Sequence, residues 1–315
     1  MTKERLLVTG ANGQIGTVLV EGLQKRFGYD QIVASDIRPL TNDRAIFESV
    51  NVLDKKRMQE VIKQYGITHI YHLAAILSAK GEQNPKMAWE INMSGLFNIL
   101  ELAKEHQLKV FFPSSIAVFG TESPRKDTPQ YRSVHPETVY GISKVAGEYW
   151  CLYFYKKFGV DVRSVRYPGI ISYQSLPGGG TTDYAVEIFH AAVKGEPYEC
   201  FLKEDTRLPM MYIPDAIRAT IDLMEAPEED ITVRTSYNLA GVSFTPAEIA
   251  AEIKSQLPNF SVSYKPDFRQ AIAETWTETI DDSAARHDWG WQPEYDLRSM
   301  AKDMIKNLSE QLVNS

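Results

Sequence analysis

Three side chains in this sequence have the types and spacing to move a proton together. Ser115 closes the apolar run "KVFFPSS", and "YGISK" places Tyr140 and Lys144 four apart, hence on one face of a helix. A free phenol has a pKa of about 10, too high for a base near neutrality. An ammonium ~4 Å away, at an effective dielectric of ~20, favours the phenolate by about 4 kcal/mol, roughly three pKa units. Such a phenolate accepts an alcohol proton as hydride leaves the carbinol carbon, while Ser115 holds the same oxygen by a hydrogen bond. Tyr153 and Lys157 share the spacing. They lie more than three turns further along, in "EYWCLYFY", a segment apolar nearly all round and expected to be buried in a subunit interface.

A hydride needs an acceptor, and the first sixty residues are built to hold one. "GANGQIG" sets Gly10, Gly13 and Gly16 between an apolar strand and a helix. Small residues there allow a tight turn, close approach of a pyrophosphate to the backbone, and packing of helix on strand. Asn12, Gln14 and Ile15 complete that turn. Asp36 ends the second strand, twenty residues past Gly16, where a carboxylate accepts both hydroxyls of an adenosine ribose. Its charge would repel a 2′-phosphate, so NAD is expected over NADP, with Ile37 and Arg38 beside it. Asn51 and Val52, in "NVLD", are placed either against the adenine or in a surface turn.

The elements that must carry these groups alternate. "RLLVTG" (5–10), "QIVASD" (31–36), "THIYHLAA" (68–75), "KVFFPSS" (109–115) and "VDVRSVRY" (160–167) read as strands buried on both faces. Helices are expected near 14–27, 55–65, 86–106 and 137–158, which gives an α/β fold with a Rossmann-type doubly wound parallel sheet. Catalytic groups would then cluster at the carboxyl edge of the sheet. Past residue 167 prolines break the rhythm, and shorter helices are expected near 183–195, 214–225 and 246–257. The expected organisation is a dinucleotide-binding domain over 1–167 and a smaller C-terminal α/β substrate lobe over 168–315, with some segments returning to the sheet.

Composition narrows the partners. A net charge of −7 over 315 residues leaves no basic block for nucleic acid. Two cysteines make no disulfide framework, and six scattered histidines give no metal-ligand spacing. With no secretory or transit pattern at the start and no membrane-length apolar run, the expected setting is the cytoplasm.

On "VTGANGQIG", "HLAA" (72–75), "INMSG" (91–95), "FFPSSIAVFG" (111–120) and "YGISK", the chain resembles the extended short-chain dehydrogenase/reductase family over nearly its whole length. The resemblance implies that Leu73, Ala74 and Ala75 line the cofactor and that Asn92 braces the fourth strand. It also implies that Ser115, Tyr140 and Lys144 carry catalysis, and that Tyr167, Pro168 and Ile170 of "RYPGI" lie beside the nicotinamide. Two departures matter. Sugar-nucleotide epimerases carry an asparagine after the fifth strand of this series, where Gly169 stands here; the dehydratases carry an Asp-Glu pair where Ile116–Ala117 stand. What remains is similar to the short-chain L-threonine 3-dehydrogenase branch, on "ILSAKGEQNP" (76–85), "PGGGTTDYAVEIFHAA" (177–192), "MYIPDA" (211–216) and "AETWTETIDDS" (273–283). That branch oxidises the C3 hydroxyl of threonine to 2-amino-3-ketobutyrate with NAD, and the resemblance supports a homodimer.

Threonine presents a carboxylate, and glycine N–H groups running into a helix start suit one. Gly179, Gly180, Thr181 and Thr182 are therefore the expected cradle, with Ser78 reaching from the opposite loop and Trp276 as an apolar wall. Otherwise Thr182 merely caps its helix and the glycines merely turn. The rival activity is a sugar-nucleotide epimerase, which shows no net reduction of NAD. A dinucleotide-sensing regulator would need the glycine turn but not the Tyr140–Lys144 pair.

Overall fold

A computed structural model describes residues 4–39, 45–131, 134–174, 176, 178 and 180–313. Gly179 lies outside them. Strands β1 (Leu6–Thr9), β2 (Ile32–Asp36), β3 (Ile46–Ser49), β4 (His69–His72), β5 (Lys109–Ser115) and β6 (Val162–Tyr167) are the alternating apolar runs and one addition. The addition is β3, a half-exposed strand with a glutamate in it, which has no continuous apolar run to announce it. All pair in parallel. The order is β3-β2-β1-β4-β5-β6, so the chain reverses direction of travel between β1 and β4, and a crevice opens there above the strand ends.

Alternation within the strands makes two cores. Leu6 and Val8 face one side and Leu7 the other, each at most 1% exposed. On Leu7's side lie helices α2 (Lys55–Tyr65), α5 (Gly95–His106) and α6 (Val139–Phe158), with α3 (Ser78–Gln83) and α4 (Pro85–Trp89) at the crevice end. The other side is covered by α1 (Gln14–Phe27) and α8 (Ile213–Glu225), the latter coming from the second half of the chain.

Past residue 167 lie β7 (Gly169–Ile171), α7 (Tyr184–Lys194), β8 (Tyr198–Cys200), β9 (Leu208–Tyr212), β10 (Tyr237–Asn238), β11 (Val242–Phe244), α9 (Pro246–Gln256) and β12 (Val262–Tyr264). Helices α10 (Phe268–Glu274), α11 (Ser283–Trp289) and α12 (Leu297–Val313) follow. β7, β9 and β11 form one small sheet and β8 with β12 another. β10 returns to the main sheet as a seventh strand against β6, pairing Tyr237 with Val165 and Asn238 with Arg166. A buried charge pair lies under that join. Arg166 donates from Nε and Nη2 to Glu148 of α6 at 2.9 and 2.7 Å, and from Nη1 to the Asn238 side chain at 3.1 Å. Among the described residues no helix is long and apolar enough to cross a membrane.

Candidate active site

The glycine turn is shaped by the chain's own crossings. Gly10 has φ +71°, and a Cβ on it would stand 2.7 Å from the Ala74 nitrogen. A Cβ on Gly16 would stand 2.3 Å from the Gly10 carbonyl oxygen. These two glycines let β1, α1 and the β4 exit meet. Gly13 precedes α1 with no side-chain cap and no acidic residue in the first turn, so helix N–H groups face the crevice free of competing carboxylate. An anionic pyrophosphate fits that opening.

Asp36, 7% exposed at the end of β2, accepts from the backbone N–H of Asn12 at 3.1 Å and of Arg38 at 3.0 Å. The carboxylate is thereby held facing the turn. The Arg38 guanidinium lies 3.5 Å from Asp36 and is largely exposed, as is Ile37. The Asn12 side chain donates to the Arg38 carbonyl at 2.7 Å. Asn51 and Val52 occupy the turn between β3 and α2, where Asn51 Oδ1 accepts from the Leu53 N–H and the Val52 carbonyl accepts from Asn98. Asn51 is exposed and Val52 is buried against α5.

Deeper in, a single cleft collects most of the remaining residues. Gly10, Gly13, Gln14, Ile15, Gly16, Leu73 and Ala75 line one wall; Ser115, Tyr140, Lys144, Tyr167, Pro168 and Ile170 the floor; Ser78, Gly180, Thr181, Thr182 and Trp276 the far wall. Gln14 donates to the Ile170 carbonyl at 3.2 Å, tying the glycine turn to β7. Tyr167 turns its hydroxyl away to Thr220, so only its ring and backbone face the cleft. Ala74 lies behind Gly10.

Asn92 does not line this cleft. It sits in a π-helical stretch, Glu90–Ser94, and accepts from the Ile76 N–H at 2.8 Å while donating to the Ile76 carbonyl at 3.1 Å and to Ser143 Oγ at 3.2 Å. Ser143 in turn donates to the Tyr140 carbonyl at 2.7 Å. Asn92 therefore fixes the loop after β4 to the helix of Tyr140 and Lys144. A π-bulge supplies the register shift that points it inward.

Tyr140 is the second residue of α6, whose start is capped by Thr138 accepting from the Gly141 N–H at 3.0 Å. The absence of a side chain at Gly141 lets that helix start lie on the turn after Ser115, for a Cβ would stand 2.1 Å from the Ala117 oxygen. Ser115 Oγ accepts from the Ala117 N–H at 3.2 Å and lines the same cleft as Tyr140. Lys144, 4% exposed, donates from Nζ to the Pro113 carbonyl at 2.6 Å, and its Nζ is 5.4 Å from the Tyr140 ring centre.

The electrostatics differ from the sequence expectation. Burial pushes the Tyr140 phenol up to about 12, against a lowering by Ser115. Burial also lowers the Lys144 ammonium to about 8, with Cys151 and Glu148 acting the other way. Both shifts have loss of water as their largest cause, and the Lys144 Nζ is directed to the Pro113 carbonyl.

On the far wall Thr181 is 1% exposed and its Oγ1 has no hydrogen-bond partner among the described residues. A buried hydroxyl left so is costly unless a ligand satisfies it. Ser78 and Trp276, each 5% exposed, face the same space. Thr182 does not cap α7; Asp183 occupies the cap position without a side-chain cap bond. Asp183 also lines the cleft, its Oδ2 accepting from the Gly180 N–H at 2.7 Å. The sequence pattern assigns it no role of its own, although it is the one carboxylate in "GGGTTD".

The Tyr153 alternative is placed elsewhere. Tyr149 and Tyr153 are 58% and 47% exposed on the outer face of α6, with Trp150 and Phe158 beside them, far from the cleft lining.

Residues 6–240 match the NAD dependent epimerase/dehydratase family. The chain is 48% identical over 307 residues to the mitochondrial L-threonine 3-dehydrogenase of Bos taurus, covering 96% of this chain and 82% of that one. It superposes on the GalE-like L-threonine dehydrogenase of Cupriavidus necator in its holo form with a TM-score of 0.95 and 56% identity, over 96% of this chain and 99% of that one. A monomeric L-threonine 3-dehydrogenase from a metagenome, in apo form, gives a TM-score of 0.95 and 48% identity, over 97% and 99% of the two chains. By sequence and by fold, this chain belongs to the NAD dependent epimerase/dehydratase family.

Proposed function

We propose that the chain oxidises the C3 hydroxyl of L-threonine to 2-amino-3-ketobutyrate with NAD. One observation carries the choice of substrate: the orphaned Thr181 hydroxyl, buried in the same cleft as Ser115 and Tyr140. It is a donor awaiting an acceptor, and a threonine carboxylate supplies one. The likeness to proteins named L-threonine dehydrogenases supports the reading.

When bound, NAD supplies the hydride acceptor and, on its oxidised ring, positive charge. The open α1 start would hold its pyrophosphate, Asp36 its adenosine ribose, and Tyr167, Pro168 and Ile170 its nicotinamide end, with Leu73 and Ala75 along the same cleft. Ser115 orients the substrate hydroxyl, and Tyr140 accepts its proton. Burial holds the phenol up at about 12 in the chain alone, and positive charge placed in the cleft would lower it. Lys144 Nζ, held at the Pro113 carbonyl, keeps a donor in place beneath the phenol. Trp276 and Ile116 exclude water from the reacting carbon.

The chain is read as a cytoplasmic homodimer, joined through the exposed aromatic face of α6. Incubation with L-threonine and NAD, followed at the NADH absorbance, tests the activity. Net NADH formation is expected; its absence would overturn the reading and reopen the epimerase alternative.

A further inference from the structure

Gly169 opens β7 at the floor of the cleft, and its space is already taken. A Cβ added there would stand 2.7 Å from Thr182 Cγ2, 2.9 Å from Thr182 Cβ and 2.3 Å from Met210 Sδ. Met210 can swing the end of its flexible side chain aside. Thr182 cannot do the same without turning its hydroxyl, because a β-branched side chain carries methyl and hydroxyl on one carbon and moves both together. The backbone of Thr182 is also held, its carbonyl accepting from the Ala185 N–H at 3.1 Å.

We propose that Gly169 is a specificity-determining positioning residue: its missing side chain seats the Thr182 methyl and so fixes the Thr182 hydroxyl in the cleft for the substrate carboxylate. This rests on the threonine reading above and deepens it. The contact also separates the two substrate classes weighed in the sequence. An asparagine at 169, as sugar-nucleotide epimerases have, is incompatible with Thr182 where it stands.

The test is a double-mutant cycle on the full chain: wild type, Gly169→Ala, Thr182→Ser and the pair, each measured for threonine KM, kcat, NAD affinity and thermal melting. Gly169→Ala is expected to raise threonine KM about tenfold, with kcat and NAD affinity within about twofold. In the Thr182→Ser background, which lacks the γ-methyl, the same change is expected to cost less than about threefold further. An equal factor in both backgrounds, or a fall in kcat with KM unmoved, would overturn the proposal. Should Gly169→Ala fail to fold, recovery of a cooperative melt in the pair supports the contact and continued misfolding sinks it. A wild type that turns over threonine while the cycle shows no coupling refutes this proposal alone; a wild type inert to threonine refutes the functional reading and this with it.

Discussion

Lys144 donates to the Pro113 carbonyl at 2.6 Å, and this bond pins the helix of Tyr140 to the strand of Ser115. The two side chains thus have a fixed frame: two residues past Pro113 the chain presents the serine, and one turn before Lys144 the helix presents the phenol.

Tyr140→Phe removes the proton acceptor and leaves the pocket's shape. Turnover is expected to fall by about a hundredfold or more, with NAD affinity and melting temperature retained. Tyr153→Phe, on the exposed outer face, should stay near wild type. Comparable losses in both would count against Tyr140 as the base.

On the proposed reading Asp36 meets the ribose end of the cofactor with negative charge, so NAD is expected over NADP by a wide margin. In Asp36→Ala the ratio of kcat/KM for the two cofactors should move toward NADP. An unchanged ratio would mean that another group reads the ribose.

Thr181→Ala removes one neutral donor to a carboxylate, worth roughly 1.5–3 kcal/mol. Threonine use should weaken by about tenfold to a hundredfold, while NAD affinity is spared. Equal damage to NAD binding would show that the hydroxyl serves the fold instead.

Acid stability should carry the mark of His72. Burial lowers this imidazole from 6.5 to about 3, and the Lys144 charge adds to the lowering. The unfolded chain takes up the proton near 6.5 and the folded chain holds out to about 3, so the contribution is complete above 6.5. It is lost as pH falls through that window. His72→Gln should therefore show a shallower decline in melting temperature between those limits, measured by calorimetry across pH; parallel declines would rule out a neutral buried imidazole.

The aromatic face of α6 leads to a prediction about assembly. Light scattering should give twice the chain mass, and Tyr149→Glu with Tyr153→Glu should reduce it to one. A monomeric wild type, like the metagenomic relative, would make that face an open surface.

The parallel sheet was legible because β1, β2, β4, β5 and β6 are largely buried on both faces and so read as near-continuous apolar runs. β3 was not, since an edge strand with Glu48 in it has no such run. Tyr140 and Lys144 were legible by helical spacing, but their protonation was not: the approach of Lys144 to a strand carbonyl, and the desolvation of both groups, exist only once α6 lies on β5. Asn92 shows the same limit. Its reach to Ile76 and Ser143 depends on one π turn that no residue pattern announces.

Synthesis of this chain on a ribosome proceeds from β1 onward, and β6 is complete at Tyr167. Its outer partner, β10, does not exist until Asn238 has been made. For the seventy residues between, the nascent sheet carries an open edge, with Arg166 awaiting Asn238. Open parallel edges invite pairing with other chains. The two-residue strand that finishes the sheet thus makes the long C-terminal half a requirement for safe folding of the nucleotide-binding half, and a chain cut between them should be prone to aggregate.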